Sequence, residues 1–183
     1  QNGGVFNFTG TGGYMRIAQY DNTEGTITIR DSGSAFNASD DIMAGWGENT
    51  SATILIENQG TMNIGTSDLD LGYDSTASVS VTVRGEGSSL TGADFDYWSS
   101  LTVGMDGTAN LLVENGGDVK IGADMAVGYR TGSRGTAVIR GSGTTVTVGD
   151  QFGINASSND GTYGDVLVDQ GAGVTAQQLR MNG

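Results

Sequence analysis

The chain has 183 residues, among them 32 glycines, and it contains no proline, cysteine or histidine. Without cysteine and histidine, the sequence excludes disulfides, thiol catalysis, histidine relays and structural zinc sites built from these residues. A net charge of −13 at pH 7 argues against a nucleic-acid partner. The short apolar runs predict no membrane insertion, and the length fits a single domain over residues 1–183.

A short motif recurs along the chain: an apolar residue, a charged residue, a turn residue and then glycine. It appears in full as Ile29-Arg30-Asp31-Ser32-Gly33, and Phe8-Thr9-Gly10-Thr11-Gly12 is interpreted as a degenerate first copy. The copies are anchored at Gly12, Gly33, Gly60, Gly87, Gly117, Gly143 and Ala172. A spacing of about 27 residues is typical of solenoid proteins and predicts about seven coils.

Each copy contains three short stretches in which apolar and polar residues alternate, the pattern of a β-strand. The first lies at residues 26–29, the second follows the turn as in Met62-Asn63-Ile64, and the third is of the type Leu69-Asp70-Leu71. Strands this short bury their apolar side only when coils stack on each other. The sequence therefore predicts an all-β, three-sided, single-stranded parallel β-helix, and the usual handedness of parallel crossovers favours right-handed coiling.

Two further sets of residues recur at fixed positions in the repeat. The residue after each charged position is expected at a left-handed corner. This set reads Gly10, Asp31, Asn58, Gly85, Asn115, Gly141 and Gln170. A second landmark, a glycine after the third strand, occurs at Gly45, Gly72, Gly104, Gly128 and Gly153. The residues that follow it in four copies are interpreted as a side-chain stack: Trp46, Tyr73, Met105 and Tyr129.

The charged position itself alternates in sign from copy to copy. From the second copy onward it reads Arg30, Glu57, Arg84, Glu114, Arg140 and Asp169. If the coils stack about 4.8 Å apart, each charge lies between two opposite charges. The sequence therefore predicts a charge ladder along one exposed face, with Thr9 at the same position in the degenerate copy.

Four stretches resemble the glycine-rich passenger repeats of bacterial autotransporters and related surface adhesins. They are Leu101-Thr102-Val103-Gly104, Gly107-Thr108-Ala109-Asn110-Leu111-Leu112-Val113-Glu114-Asn115-Gly116-Gly117, Val127-Gly128-Tyr129 and Gly135-Thr136-Ala137-Val138-Ile139. The resemblance is best over residues 53–154. It implies an exported β-helix that is secreted or attached to the cell surface, where it forms a stalk or an adhesive surface.

One aromatic cluster is a candidate glycan-binding site. Phe95, Tyr97 and Trp98 stand among aspartates, and aromatic rings beside carboxylates are suited to stacking on sugars. The same cluster is the best candidate site under the alternative that the chain is a carbohydrate-active enzyme. The alternative is that the rings cover the edge of the core while the aspartates are solvated.

The acidic turns suggest calcium as the one candidate cofactor. Asp41 and Asp68 fall at equivalent positions of neighbouring coils, where a cation would offset their repulsion, and Asp40 adds a third carboxylate. The alternative is simple solvation of all three side chains. Neither a calcium-binding EF-hand loop nor a glycine-rich calcium nonapeptide is present.

Neither end of the predicted solenoid carries a cap. Phe6 and Phe8 take inward positions in the first coil, and Leu179 and Met181 do so in the last. Open ends on one molecule predict head-to-tail contacts that do not close, and hence a filament. In simple stacking Asp169 would lie over Thr9, whereas Arg180 over Arg16 would be repulsive.

The sequence therefore predicts a non-catalytic extracellular structural protein whose partner is a copy of itself. An outward column that becomes apolar toward the C-terminal half suggests additional lateral contacts. It consists of Thr28, Leu55, Thr82, Leu112, Val138 and Leu167. One alternative is an adhesin stalk that binds glycans or a cell surface, and the other is a carbohydrate-active β-helix enzyme.

Overall fold

The computed structural model describes residues 3–10, 12–93, 99–156 and 161–182. These ranges contain eighteen β-strands and no helix. In chain order the strands are β1 (Val5–Phe8), β2 (Tyr14–Ile17), β3 (Glu24–Arg30), β4 (Ala35–Ala38), β5 (Asp41–Ala44), β6 (Ser51–Glu57), β7 (Thr61–Gly65), β8 (Leu69–Leu71), β9 (Ser78–Arg84), β10 (Ser89–Gly92), β11 (Leu101–Val103), β12 (Thr108–Glu114), β13 (Asp118–Ile121), β14 (Met125–Val127), β15 (Arg134–Arg140), β16 (Thr145–Ile154), β17 (Tyr163–Asp169) and β18 (Gly173–Met181).

The strands stack in parallel into three faces of a β-solenoid. The first face contains β3, β6, β9, β12, β15 and β17. The second contains β1, β4, β7, β10, β13 and the first halves of β16 and β18. The third contains β2, β5, β8, β11, β14 and the second halves of β16 and β18. The predicted all-β parallel fold is confirmed, with about 6 turns of ~27 residues rather than seven.

The predicted coil count is too high by one because of the position of β1. Val5–Phe8 pairs with β4, with Phe8 opposite Ala38, and therefore belongs to the second face. The recurring motif predicts this segment on the first face, because alternating apolar residues identify a strand but not the face it occupies. Thr9 instead lies outside the charged column, and Gly10 is not in the left-handed conformation. The predicted stacking of Asp169 over Thr9 is therefore wrong.

The glycine landmark after the third strand is also misplaced in one coil. Ile154 pairs with Val127, so Asn155 rather than Gly153 is the counterpart of Gly128. Asn155 has a φ of 52°, a left-handed conformation that asparagine tolerates better than most residues. At Gly104 in the same column a Cβ would stand 2.7 Å from the Arg134 carbonyl carbon, so that turn requires glycine.

The core consists of columns of aliphatic side chains that run along the solenoid. One column on the first face contains Ile29, Ile56, Val83, Val113, Ile139 and Val168, as predicted. Its members in the middle coils are fully buried, whereas Val168 in the last coil is 43% exposed. Each coil therefore obtains its buried surface from the coils above and below it.

The turn from the first to the second face adopts the predicted left-handed corner. Positive φ angles occur at Asp31, Asn58, Gly85, Asn115, Gly141 and Gln170. The turns alternate in length, a feature absent from the sequence prediction. After each arginine of the charged column the turn has four residues, at 31–34, 85–88 and 141–144. After each acidic residue it has three, at 58–60, 115–117 and 170–172.

A hydroxyl at the end of each four-residue turn connects the two turn types. Ser88 Oγ accepts a hydrogen bond from the N–H of Gln59 at 3.0 Å, and Thr144 Oγ1 accepts one from Gly116 at 2.9 Å. Ser34 Oγ accepts one from Gly4 at 3.4 Å. The structural repeat is therefore a pair of coils, an arginine coil and an acidic coil.

The core columns predict that truncating an inward side chain destabilises the protein much more in a middle coil than in an end coil. Ile56→Ala, in a fully buried position, should lower the free energy of unfolding by about 2–5 kcal/mol, because it leaves a cavity in a stacked column. Val168→Ala at the open end should cost much less, roughly 1 kcal/mol or below. Chemical denaturation of both variants measures the difference, and equal losses would contradict the stacked core.

Candidate functional sites at the ends and turns

The six charged residues form one continuous column beside the turn from the first to the second face. Arg84 Nη2 donates to Glu57 Oε2 at 2.5 Å, and Arg140 Nη2 donates to Glu114 Oε2 at 2.7 Å. Thus four of the six are closed into two ion pairs. The six residues therefore share one column, but among the described residues only two of its five neighbouring contacts are ion pairs, so the charges form pairs rather than the continuous ladder that was predicted.

The two residues at the ends of this column differ from the rest. Within the described ranges, neither Arg30 nor Asp169 forms an ion pair. Asp169 Oδ1 is in addition buried and without a hydrogen-bond partner. The column therefore ends in a positive charge on one side of the solenoid and a negative charge on the other.

Apolar side chains are exposed at both ends of the solenoid, where sequence reasoning placed them. Phe6 is 55% exposed at one end, and its ring stacks on Phe36 at a centroid distance of 5.1 Å. Leu179 and Met181 are 65% and 68% exposed at the other. Phe8 is partly buried against the core. Among the described strands, β1, β2, β3, β17 and β18 each have a neighbour on one side only.

A column of aspartates lies in the turn before the third face. Each carboxylate accepts a hydrogen bond from a backbone N–H of the next coil. At this corner the β-ladder offers that N–H no carbonyl acceptor. The pairs are Asp68 N to Asp41 Oδ1, Ser100 N to Asp68 Oδ1 and Gln151 N to Asp124 Oδ1, each at 3.0 Å. Burial raises the pKa of Asp68, as does the charge of Asp41, and the Ser100 N–H opposes them.

This geometry gives the candidate calcium ligands another role. Asp41 and Asp68 hold neighbouring coils together, while Asp40 Oδ1 accepts the Gly12 N–H at 3.3 Å. Within the described residues, no group of three or more acidic side chains is placed to hold a metal ion. Calcium binding stays a prediction. The candidate glycan ligands Phe95, Tyr97 and Trp98 lie outside the described residues.

Asp70 is a buried carboxylate that the sequence analysis did not single out. It points outward from β8, yet it is only 8% exposed. Burial raises the pKa of Asp70 to about 6. The charges of Asp68 and Asp41 act in the same direction, and a hydrogen bond with Thr102 and the charge of Arg130 oppose it. Alternation alone marks this position as solvent-facing, so sequence offered no signal of its burial.

An aromatic stack begins at the turn after the third face. The rings of Trp46 and Tyr73 lie 4.5 Å apart, which confirms the predicted stack for this pair. The Arg16 guanidinium lies 3.6 Å from the centroid of Trp46 and 4.4 Å from that of Tyr14. Arg16 Nε is buried without a hydrogen-bond partner, so cation–π contacts are what hold this guanidinium in place.

Comparison of the chain with protein-family models, with curated proteins and with solved structures finds no match. The assignment to β-helix repeat proteins therefore stands on the fold itself, and the likeness to autotransporter passengers stays a prediction from the quoted residues. In the part of the chain that the structure describes, no helix has the length and apolar character needed to cross a membrane.

The ladder predicts a salt-dependent loss of stability when one sign is reversed. Glu57→Lys would place a positive charge between Arg30 and Arg84 and remove one ion pair. We expect the free energy of unfolding to fall by about 1 kcal/mol at low ionic strength, and by less in 1 M salt. Thr53→Lys, an exposed outward position on the same strand, is the control. Equal effects of the two variants would contradict the ladder.

The buried Asp70 predicts a pH dependence of stability with a definite sign. Because the folded-state pKa of Asp70, about 6, lies above the ordinary aspartate value of 3.8, the folded state holds the proton more tightly than the unfolded state. The contribution of Asp70 to the free energy of unfolding is fully present below about pH 4, and it is lost as the pH rises to about 6.

Asp70→Asn should therefore raise the free energy of unfolding at pH 7 by roughly 2 kcal/mol and flatten its dependence between about pH 4 and 6. Denaturant unfolding at a series of pH values is the measurement. Asp165→Asn, at an exposed position of β17, is the matched control and should change little. A destabilised Asp70→Asn variant at pH 7 would refute the argument.

Proposed function

We propose that this chain is a non-catalytic structural subunit that associates end to end with copies of itself into an extracellular filament. The observation that carries the proposal is the exposure of core columns at both ends of the solenoid, at Phe6 on one side and at Leu179 and Met181 on the other. The core columns that end at these positions are covered only when another coil stacks on the solenoid.

The backbone supports the same contact. The outer edges of β3, β17 and β18 present unpaired N–H and C=O groups, which form a template for further parallel strands. A contact between two different ends of one molecule is heterologous, so each added copy leaves a new free end. Continued addition produces a filament rather than a closed ring of fixed size.

The other parts of the proposal rest on the sequence. The absence of histidine and cysteine leaves few groups for catalysis, and the resemblance to passenger repeats favours an extracellular location. An adhesin stalk and a carbohydrate-active enzyme are the competing hypotheses. Neither hypothesis requires the mass of the assembly to increase with protein concentration. A filament subunit does require this increase, so the dependence separates the hypotheses.

The test is the mass of the protein as a function of concentration. The unmodified chain should form filaments visible by electron microscopy and a sedimentation profile that shifts with concentration. Leu179→Lys with Met181→Lys should abolish both, because two buried charges at the junction would lack partners. Tyr129→Lys, at an exposed aromatic position away from both ends, should assemble normally. A monomeric unmodified chain at high concentration would refute the proposal.

A further inference from the structure

The strands of the chain make six complete coils and two thirds of another. From β3 to β18 each face contains six strands, so residues 24–181 form a whole number of turns. The excess consists of β1 and β2, which we call the leading arm (Val5–Phe8 and Tyr14–Ile17). We call β18 (Gly173–Met181) the trailing arm.

The excess matters for stacking. If copies add without rearrangement, the trailing arm of one copy pairs with the leading arm of the next on the second and third faces. On the first face β17 and the next copy's β3 are then separated by one empty strand position, a gap between centres of about 9.6 Å. We refer to this arrangement as simple stacking.

We propose instead that the trailing arm of one copy replaces the leading arm of the next, so that β3 of the second copy pairs directly with β17 of the first. This inference rests on the proposed end-to-end association and specifies its register. The leading arm is then a removable cover of one end of the solenoid, and assembly requires its displacement.

The two arms present apolar side chains at equivalent positions. In the leading arm the inward residues are Phe6, Phe8, Met15 and Ile17, opposite Phe36, Ala38, Ile42 and Ala44. In the trailing arm the inward residues are Val174, Ala176, Leu179 and Met181, opposite Val146, Val148, Phe152 and Ile154. Replacement therefore places an apolar residue in each of the four core columns.

The charged column favours direct pairing of β17 with β3. The two members that form no ion pair with another described residue, Arg30 and Asp169, have opposite charges and lie at opposite ends. Direct pairing brings Arg30 of the second copy next to Asp169 and continues the alternation of sign across the junction. Simple stacking leaves the two charges separated by an empty strand position, with Asp169 Oδ1 still without a partner.

The alternation of turn types gives the same register. The turn at 170–172 has three residues, and the other two described three-residue turns between the first and second faces, at 58–60 and 115–117, are each followed by a coil with a four-residue turn and a hydroxyl. Direct pairing places the turn at 31–34 next, with Ser34 in the position of Ser88 and Thr144. The N–H of Gly171 then occupies the place of the Gln59 and Gly116 donors.

Replacement also removes the one repulsion that simple stacking creates. Arg16 and Arg180 belong to the same outward column of the third face. Simple stacking brings the two guanidinium groups together. In the exchanged arrangement Arg180 takes the place of Arg16 beside Trp46, whose ring already accepts a guanidinium at 3.6 Å.

The leading arm is the weaker of the two competitors. It consists of two separate strands of 4 residues each, and Phe6 in it is 55% exposed. The trailing arm is one continuous strand of 9 residues paired along β16. The pairing of the trailing arm with β16 shifts register between Val148 and Gln151, but both of its halves belong to one strand. The trailing arm therefore keeps its place on its own copy while the leading arm is displaced.

A disulfide that locks the leading arm tests the exchange in the full chain, which has no cysteine of its own. Asn7 and Asn37 are direct neighbours on β1 and β4, joined by a hydrogen bond of 2.9 Å, so Asn7→Cys with Asn37→Cys can be oxidised in place. Asn63→Cys with Thr91→Cys joins β7 and β10 in the same column and is the matched control.

Oxidised Asn7→Cys/Asn37→Cys chain should lose filament formation, and reduction should restore it. The control should form filaments in both states. If the oxidised chain assembles as well as the reduced one, the exchange is wrong although end-to-end association stands. If the unmodified chain forms no filaments at all, both the exchange and the proposed function are wrong.

Cross-linking between two single-cysteine preparations maps the register independently. Leu167→Cys mixed with Thr28→Cys should give a disulfide-linked dimer, since direct pairing sets the two positions one strand spacing apart. Thr175→Cys mixed with Asn7→Cys should remain unlinked. The opposite result, a link between Thr175→Cys and Asn7→Cys alone, would overturn the exchange in favour of simple stacking.

Discussion

Parallel pairing between successive coils is the constraint on which the whole molecule depends. A strand of three to seven residues has no core of its own, and its inward side chains are buried only by the coils on either side. Ile56 in the middle of a column is fully buried, while Val168 at its end is 43% exposed. The ends are thus the natural sites of association, for a reason that lies in the repeat and not in any special side chain.

The repeat made much of the architecture predictable. Columns such as Ile29 to Val168 and the alternating charges are defined by side chains that recur at one spacing, so a single sequence suffices to find them. The face occupied by β1 was not predictable, because a four-residue amphipathic strand such as Val5–Phe8 fits every face equally well. Only its pairing with β4 identifies its place, and the coil count changes with it.

The turn residues show where local reasoning succeeds and where it fails. Asp31 and Asn58 were predicted in the left-handed region from their own conformational preferences. The hydroxyls of Ser88 and Thr144 act on the preceding coil, so their role appears only when the coils are stacked. The same holds for Asp41 and Asp68, whose carboxylates cap backbone N–H groups of the next coil.

The pairing of an arginine coil with an acidic coil has a consequence for how such a protein changes length. Removing one coil would bring two arginines or two acidic residues into contact and would set two turns of the same type side by side. Removing two restores both patterns at once. The solenoid therefore has a parity: insertions or deletions of an even number of coils, in whole blocks of about 54 residues, preserve both patterns, whereas an odd number breaks both.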